Sequence, residues 1–160
     1  MDLGNVEMKI REAEFFLDRM RDFEKRPMPV GEHFYFYLSA FLGASRAVDA
    51  RLHHEHEASY DSWRRKWSWT NGPADDLIRF FSADQSVEVR GGGSKEDEKK
   101  QEGESTTTVI GPPGIFPLAG GGKRDYFFKI DGVAHGVTDA CAEYVKVLKR
   151  MVVEFKAAHS

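Results

Sequence analysis

The residues best suited to chemistry form a histidine-rich run at positions 51–56, with the sequence RLHHEH. His53 and Glu57 are one helical turn apart, and imidazole with carboxylate can bind zinc or another divalent ion, with His56 as a further ligand. No other predicted helix repeats such a pair, and histidines at a helix end also interact favourably with the helix dipole. A solvated helix end is therefore the favoured interpretation, and no metal or other cofactor is predicted.

A second candidate site interleaves basic and aromatic residues at positions 63–69, with the sequence WRRKWSW. Arg64, Arg65 and Lys66 can bind phosphates while neighbouring aromatic rings stack on bases, which is typical of nucleic-acid contacts. On a helix, however, Trp63 and Trp67 share one face and the three cations lie largely on others. Core tryptophans beside a solvated basic face are the favoured interpretation, with a nucleic-acid patch as the alternative.

The composition sets limits on the function. The 160 residues carry a net charge of -3, which excludes a basic field over the whole protein that would attract nucleic acid. A single cysteine cannot form an internal disulfide, and no run of about 18 apolar residues could cross a membrane. The glycine clusters do not have the pattern of a phosphate-binding loop. We expect a cytoplasmic protein of one domain, residues 1–160.

Four segments have the apolar spacing of amphipathic helices, at about residues 3–25, 31–58, 59–90 and 138–156. The third is interrupted at Asn71-Gly72-Pro73. The start of the second is aromatic on nearly all sides, from Phe34 to Tyr37. These extra rings predict a second buried surface, covered either by a partner subunit or by neighbouring segments of the same chain.

The region before the last helix has a different character. Residues 91–105 are rich in glycine and charge and are predicted to form a flexible loop. Residues 106–110 and 125–130 are rich in β-branched and aromatic residues, and we expect them to pair as a β-hairpin insertion at 106–131. The predicted fold is mainly α, an antiparallel four-helix bundle with a β-hairpin inserted before the last helix.

Six stretches carry a family resemblance through their order. They are AEFFLDRM at 13–20, FYFYLSAFLGASR at 34–46, the helix with Trp63 and Trp67, LIRFF at 77–81, and YFF at 126–128 before AEYV at 142–145. In this order the chain resembles a group of uncharacterised bacterial proteins with a HEPN-like helical bundle. The resemblance covers nearly the whole chain except residues 91–122.

The resemblance implies a helical-bundle fold and a relation to ribonucleases. HEPN domains are often ribonucleases, many are toxins or phage-defence components, and two subunits commonly join their motifs across a dimer. Their arginine, polar residue and histidine would fall here at Gln85, Ser86 and Arg90. Gln85 cannot neutralise a phosphate, and Arg90 cannot act as a general base because its pKa is too high. The resemblance therefore implies a degenerate motif that retains at most a binding role.

Two classes of function follow from these observations. The first is a non-catalytic HEPN-like bacterial protein that acts by self-association as a homodimer or by binding a partner protein or RNA. It has no predicted catalytic residue, and a toxin–antitoxin context is one expectation. The alternative is an enzyme, either a ribonuclease or a metal-dependent bundle enzyme, that uses the cluster from His53 to His56. The spacing from Arg51 to these histidines fits the spacing from arginine to histidine in the HEPN motif.

Overall fold

The computed structural model describes residues 2–26, 31–83, 87–91, 106–109 and 124–160. The helices in these ranges are α1 Gly4–Glu24, α2 Gly31–Glu55, α3 Glu57–Thr70, α4 Gly72–Ser82 and α5 Val137–Ala158. The strands are β1 Val87–Gly91, β2 Thr106–Val109, β3 Arg124–Ile130 and β4 Val133–Gly136. The prediction of a mainly helical chain with an antiparallel sheet before its last helix is confirmed. None of the described helices is long and apolar enough to cross a membrane.

The predicted apolar stripes form the core. They are buried on α1 (Val6, Ile10, Ala13, Leu17, Met20), on α2 (Phe34, Leu38, Phe41, Val48, Leu52) and on α5 (Cys141, Tyr144, Leu148, Met151, Phe155). The helices α1 and α2 pack along their lengths, and α5 lies against α1. The hydroxyl of Thr138 donates to the carboxylate of Glu24 at 3.1 Å, which joins the start of α5 to the end of α1.

The interruption in the third predicted helix separates α3 from α4 at a single residue, Asn71. The side chain of Asn71 donates to the carbonyl of Trp67 at 3.1 Å and accepts from Arg150 of α5 at 2.6 Å. Pro73 lies in the first turn of α4, where a missing N–H costs nothing. The indole Nε1 of Trp67 donates to Glu154 of α5 at 2.6 Å, so the end of α3 is held against α5.

The expected continuation of this helix toward residue 90 is wrong. The helix α4 ends at Ser82, and Ala83 is already extended, with φ -81° and ψ 165°. Arg46 of α2 donates to the carbonyls of Phe81 and Ala83 at 2.6 Å each. The guanidinium of Arg46 thus supplies donors to carbonyls at the end of α4, where the last turn of a helix lacks donors from its own backbone.

The sheet has the order β2-β1-β3-β4 and is antiparallel throughout. Both predicted strands exist, but the prediction that they pair with each other is wrong, because the unpredicted β1 lies between them. Val89 of β1 is opposite Thr107 on one side and Tyr126 on the other. Gly91 belongs to β1 and not to the predicted loop, whose residues 92–105 lie outside the described ranges.

The hairpin that does form joins β3 to β4 through Asp131 and Gly132. Both residues have positive φ, 51° and 79°. An Asp-Gly pair with this backbone makes a two-residue turn whose twist matches the flanking strands. The predicted strand at residues 125–130 was expected to end at this turn without a following strand, whereas the chain reverses there and adds β4 to the sheet.

The sheet covers part of the aromatic surplus on α2. The ring of Phe34 stacks on Tyr126 of β3 with centroids 4.0 Å apart, and Tyr35 meets the same ring edge-on at 5.7 Å. Phe34 and Tyr35 are fully buried, whereas Phe36 is exposed. A neighbouring segment of the same chain therefore covers Phe34 and Tyr35.

Candidate binding cleft

An open cleft of about 780 Å³ lies between α3 and α4, beside the second half of α2. It is lined by Asp49, Tyr60, Asp61, Arg64, Arg65, Ser68, Trp69, Gly72, Asp75, Asp76 and Arg79. The residues of α3 that line it recur every three or four positions, because that spacing places side chains on one face of a helix. The same face of α3 therefore supplies both the floor and the rim.

The floor of the cleft is organised around Asp75, which is only 3% exposed. Arg64 approaches one carboxylate oxygen through Nη2 at 2.5 Å, and Arg79 approaches the other through Nε at 2.9 Å. The hydroxyl of Ser68 also donates to this second oxygen. A buried carboxylate is tolerated only when it is paired and hydrogen-bonded, and Asp75 has both kinds of partner.

These partners decide the charge of the floor. Burial raises the pKa of the Asp75 carboxyl, but hydrogen bonds from Ser68 and Arg64 and the charges of Arg64 and Arg79 outweigh it, so the pKa lies below its usual range. Burial lowers the pKa of Arg64, but Asp75 more than compensates and raises it. At neutral pH the floor therefore contains an ionised acid between two charged guanidinium groups.

Tyr60 and Asp49 form the other end of the floor. The phenol of Tyr60 donates to Oδ1 of Asp49, and Nε of Arg64 lies 3.9 Å from the same oxygen. Burial, followed by the charge of Asp49, raises the pKa of Tyr60 well above its usual value. Tyr60 is therefore a hydrogen-bond donor at any physiological pH and cannot serve as a general base.

The rim of the cleft is exposed and carries an unusual aromatic residue. The indole of Trp69 is 93% exposed, and Arg65, one turn earlier on α3, is exposed as well. Asp76 is exposed on the side of α4, and the side chain of Arg79 is 73% exposed although it contacts Asp75. Within the described residues neither Arg65 nor Asp76 makes an ion pair. We call Arg65, Trp69, Asp76 and Arg79 the Trp69 surface.

The predicted basic and aromatic patch is thus divided by the fold. Arg64 is committed to Asp75, Arg65 lies on the rim, and Lys66 is exposed but does not line the cleft. Trp67 is buried with Arg64 and Arg150 over its ring at 5.0 and 5.9 Å, as expected of a core tryptophan. Trp69, which the sequence did not single out, is the ring that remains available.

The histidine cluster is also divided. His53 lines a second cavity, of about 420 Å³, and its Nε2 lies 3.3 Å from Oδ1 of Asp61. His56 lies at the bend between α2 and α3, where its ring packs 5.4 Å from Phe155. His54 and Glu57 are exposed. In the part of the chain that the structure describes, no three histidine, cysteine or acidic residues are placed to bind a metal ion.

The degenerate motif implied by the HEPN resemblance is described only in part. Gln85 and Ser86 lie outside the described ranges, and Arg90 lies in β1, where its backbone is opposite Thr106 and Asp125. Arg90 is therefore a residue of an inner strand and does not extend a helix beyond α4. The prediction that these three residues form a binding site stays a prediction.

Sequence reasoning missed the acidic residues of the cleft. Neither Asp75 nor Asp49 was among the predicted site residues. The available signal was the spacing of Tyr60, Arg64 and Ser68, four residues apart on one helix face. That pattern marks a polar stripe, but it does not identify the partner that the stripe meets.

Comparison with known proteins adds no relative. No protein-family profile, no curated protein and no solved structure matches this chain.

Proposed function

We propose that this chain is a non-catalytic binding protein that recognises another protein through the Trp69 surface. The observation that carries the proposal is the 93% exposure of Trp69 at the rim of a polar cleft. Tryptophan and arginine are the residues that most often dominate the binding energy of protein interfaces, because they bury a large area and retain a polar group. Trp69 with Arg65 and Arg79 has that composition.

The charges around the cleft favour a protein partner over RNA. The lining contains four carboxylates, Asp49, Asp61, Asp75 and Asp76, against three guanidinium groups, Arg64, Arg65 and Arg79. Binding to a nucleic acid depends on the release of counterions by an excess of cations, and here no excess exists. The chain as a whole has a net charge of -3. Mixed charges around an aromatic anchor are typical of protein interfaces.

We also propose that the fold is a HEPN-like four-helix bundle and that the protein is cytoplasmic. The separation of α3 and α4 by one residue supports counting them as one interrupted member beside α1, α2 and α5. The single buried cysteine, Cys141, is compatible with a reducing compartment. The absence of the family's arginine and histidine at the motif positions supports the non-catalytic assignment.

A photo-cross-linking experiment tests the proposed surface in living cells. A photoreactive phenylalanine analogue replaces Trp69 in one variant and Val153 in another. Val153 is the matched control, because it is 66% exposed on α5 and does not line the cleft. We expect a discrete ribonuclease-resistant adduct at position 69 and none at position 153, measured by gel electrophoresis and mass spectrometry.

Two outcomes of the cross-linking experiment would count against the proposal. Equal adducts at both positions would show that exposure alone produces them. An adduct at position 69 that ribonuclease digestion removes would show that the surface binds RNA and not protein.

A second candidate function rests on the contact between His53 and Asp61. A carboxylate that contacts one ring nitrogen orients a histidine for proton transfer, and this pair lies in a cavity beside Tyr60 and Asp49. This arrangement favours an acid–base enzyme, with RNA hydrolysis as the reaction of the alternative prediction. Of the three clustered histidines, His53 is the one that lines this cavity.

Substitution of His53 separates the enzyme from the binding protein. If purified protein cleaves RNA, we expect His53→Ala to reduce the rate at least about 100-fold, which is the usual contribution of general acid–base catalysis. His54→Ala is the control, because this neighbour is exposed and lies outside the cavity. Cleavage that persists unchanged in His53→Ala would remove His53 from the chemistry.

A further inference from the structure

The unpaired charges of the Trp69 surface have opposite signs. Arg65 and Asp76 line the same cleft, both are exposed, and neither forms an ion pair within the described residues. A surface with one free cation and one free anion satisfies both when it meets an identical surface related by a two-fold axis. In such an interface residue i contacts residue j of the other copy, and j contacts i.

Given the proposed function, on which this inference rests, we propose that the protein bound at the Trp69 surface is a second copy of this chain. Arg65 of each copy pairs with Asp76 of the other, and the two Trp69 indoles are buried between the facing clefts. Each cleft has a volume of about 780 Å³, which is within the range of pockets that enclose small-molecule ligands. It therefore has room for a partner indole.

Charge complementarity favours a second copy of the chain over a partner of uniform charge. A uniformly basic partner would place like charge against Arg65, and a uniformly acidic one would place like charge against Asp76. A second copy opposes neither residue. The net charge of -3 is small, and at physiological salt charges are screened over about 8 Å, so two copies repel each other weakly.

A charge-exchange experiment tests the reciprocal pair. Arg65→Glu alone places two acidic groups together at both symmetric contacts, and Asp76→Arg alone places two cations together. We therefore expect light scattering to give twice the 18.2 kDa chain mass for the wild type and the single-chain mass for each variant. In an equal mixture of the two variants, a heterodimer has one native Arg65–Asp76 contact and one contact of inverted sign, so both contacts are attractive and the mixture should give twice the chain mass.

A tryptophan substitution tests the anchor independently. Loss of a central interface tryptophan typically weakens binding at least about 30-fold, and two-fold symmetry applies the loss twice. We expect Trp69→Ser to raise the dimer dissociation constant about 1,000-fold, measured by analytical ultracentrifugation. Val153→Ser, at an exposed site of α5, is the matched control and should leave the constant unchanged.

The outcomes separate this inference from the proposed function. A wild type that stays monomeric over its whole soluble concentration range overturns the second copy as partner. A dimer that persists in both Arg65→Glu and Trp69→Ser overturns it too, because its interface then lies elsewhere. In either case a cross-linked adduct at position 69 with a different protein keeps the proposed function intact, whereas no adduct removes both. Heterodimer formation in the mixture shows that both variants are folded.

Discussion

Replacing Phe81 by alanine is expected to lower the free energy of unfolding by about 4 kcal/mol, the usual loss for a buried phenylalanine. The ring of Phe81 is fully buried and stacks on Tyr144 of α5, with centroids 4.3 Å apart and planes 4° from parallel. It also meets Phe128 of β3 edge-on at 5.7 Å and Phe41 of α2 at 6.4 Å. Its loss leaves a cavity where α2, α4, α5 and the sheet meet. Urea unfolding followed by circular dichroism measures the change.

Tyr144→Phe is the control for the Phe81 substitution. The hydroxyl of Tyr144 is buried and makes no hydrogen bond within the described residues, so its removal leaves no partner unsatisfied. The ring and its stacking on Phe81 are retained. We expect a change of less than about 1 kcal/mol, in either direction. A loss in Tyr144→Phe as large as that in Phe81→Ala would show that the hydroxyl, and not the ring stacking, holds this junction together.

Asp75→Asn is expected to lower the free energy of unfolding by about 3 kcal/mol at neutral pH, because it removes the nearer of the two carboxylates that pair with the largely buried Arg64 and leaves only the more distant Asp49. The Asp75 side chain is almost completely buried and the Arg64 side chain is largely so. Asparagine keeps the size of the side chain and part of its hydrogen bonding but removes the charge that Arg64 and Arg79 face. Thermal or urea unfolding of both proteins under the same conditions measures the difference.

The neighbouring residue supplies the control for the charge. Asp76→Asn removes the same charge one position along α4, where the side chain is exposed and has no ion pair within the described residues. At a protein concentration low enough for the chain to be monomeric, so that the proposed contact of Asp76 with a second copy is absent, we expect a change within about 0.5 kcal/mol. If the two variants lose equal stability, the effect belongs to the charge of the helix terminus and not to the buried pair.

The difference in stability between the wild type and Asp75→Asn should depend on pH. The folded protein holds the pKa of Asp75 below its usual range, so the carboxylate binds protons less readily when folded than when unfolded. Its contribution is therefore complete above the unfolded pKa, about 3.9, and is lost as the pH falls through the lower folded value. The stability gap between wild type and Asp75→Asn should be full at pH 7 and close below about pH 4. A gap that does not change with pH would show that ionisation of Asp75 is not its cause.

Phe81→Ala and Asp75→Asn are expected to affect the cleft in different ways. Phe81 lies on the buried face of α4, the helix that also carries Asp75, Asp76 and Arg79, so its removal is expected to disturb the position of all three. Asp75→Asn leaves the helix packing intact and releases Arg64 and Arg79 from their shared partner. If the Trp69 surface is the binding site, Asp75→Asn should weaken binding of the partner while the packing of the core stays as it is.

The sequence alone determined the helical stripes. Residues such as Ile10, Leu17 and Leu148 are buried where their spacing predicted, because a period of three to four residues is a local property of the chain. The break at Asn71 was visible for the same reason, since the fixed φ of proline and the conformational freedom of glycine are properties of those residues themselves. The last helix followed from its apolar face in the same way.

Only the tertiary structure decided which strands are neighbours. The segments around Thr107 and Tyr126 were predicted as strands, but the pairing of both with Val89 was not. Local composition gives the tendency to be extended, whereas the partner of a strand depends on which edges the rest of the fold leaves free. The short β1 was hidden because four of its five residues lie where the preceding helix was expected to continue, and Gly91 lies in the predicted loop.

The candidate site shows the same division. The sequence indicated that Arg64 and Arg65 lie near aromatic rings, and that His53 could take part in chemistry. It did not indicate that Asp75 would bind Arg64, that His56 would turn toward Phe155, or that Trp69 would stay exposed while Trp67 is buried. Those outcomes depend on the angle between α3 and α4 and on the position of α5, which bring residues together that are far apart in the sequence. Spacing along one helix identifies a face, but only the packing of the other elements decides whether that face meets the core, an ion-pair partner or solvent.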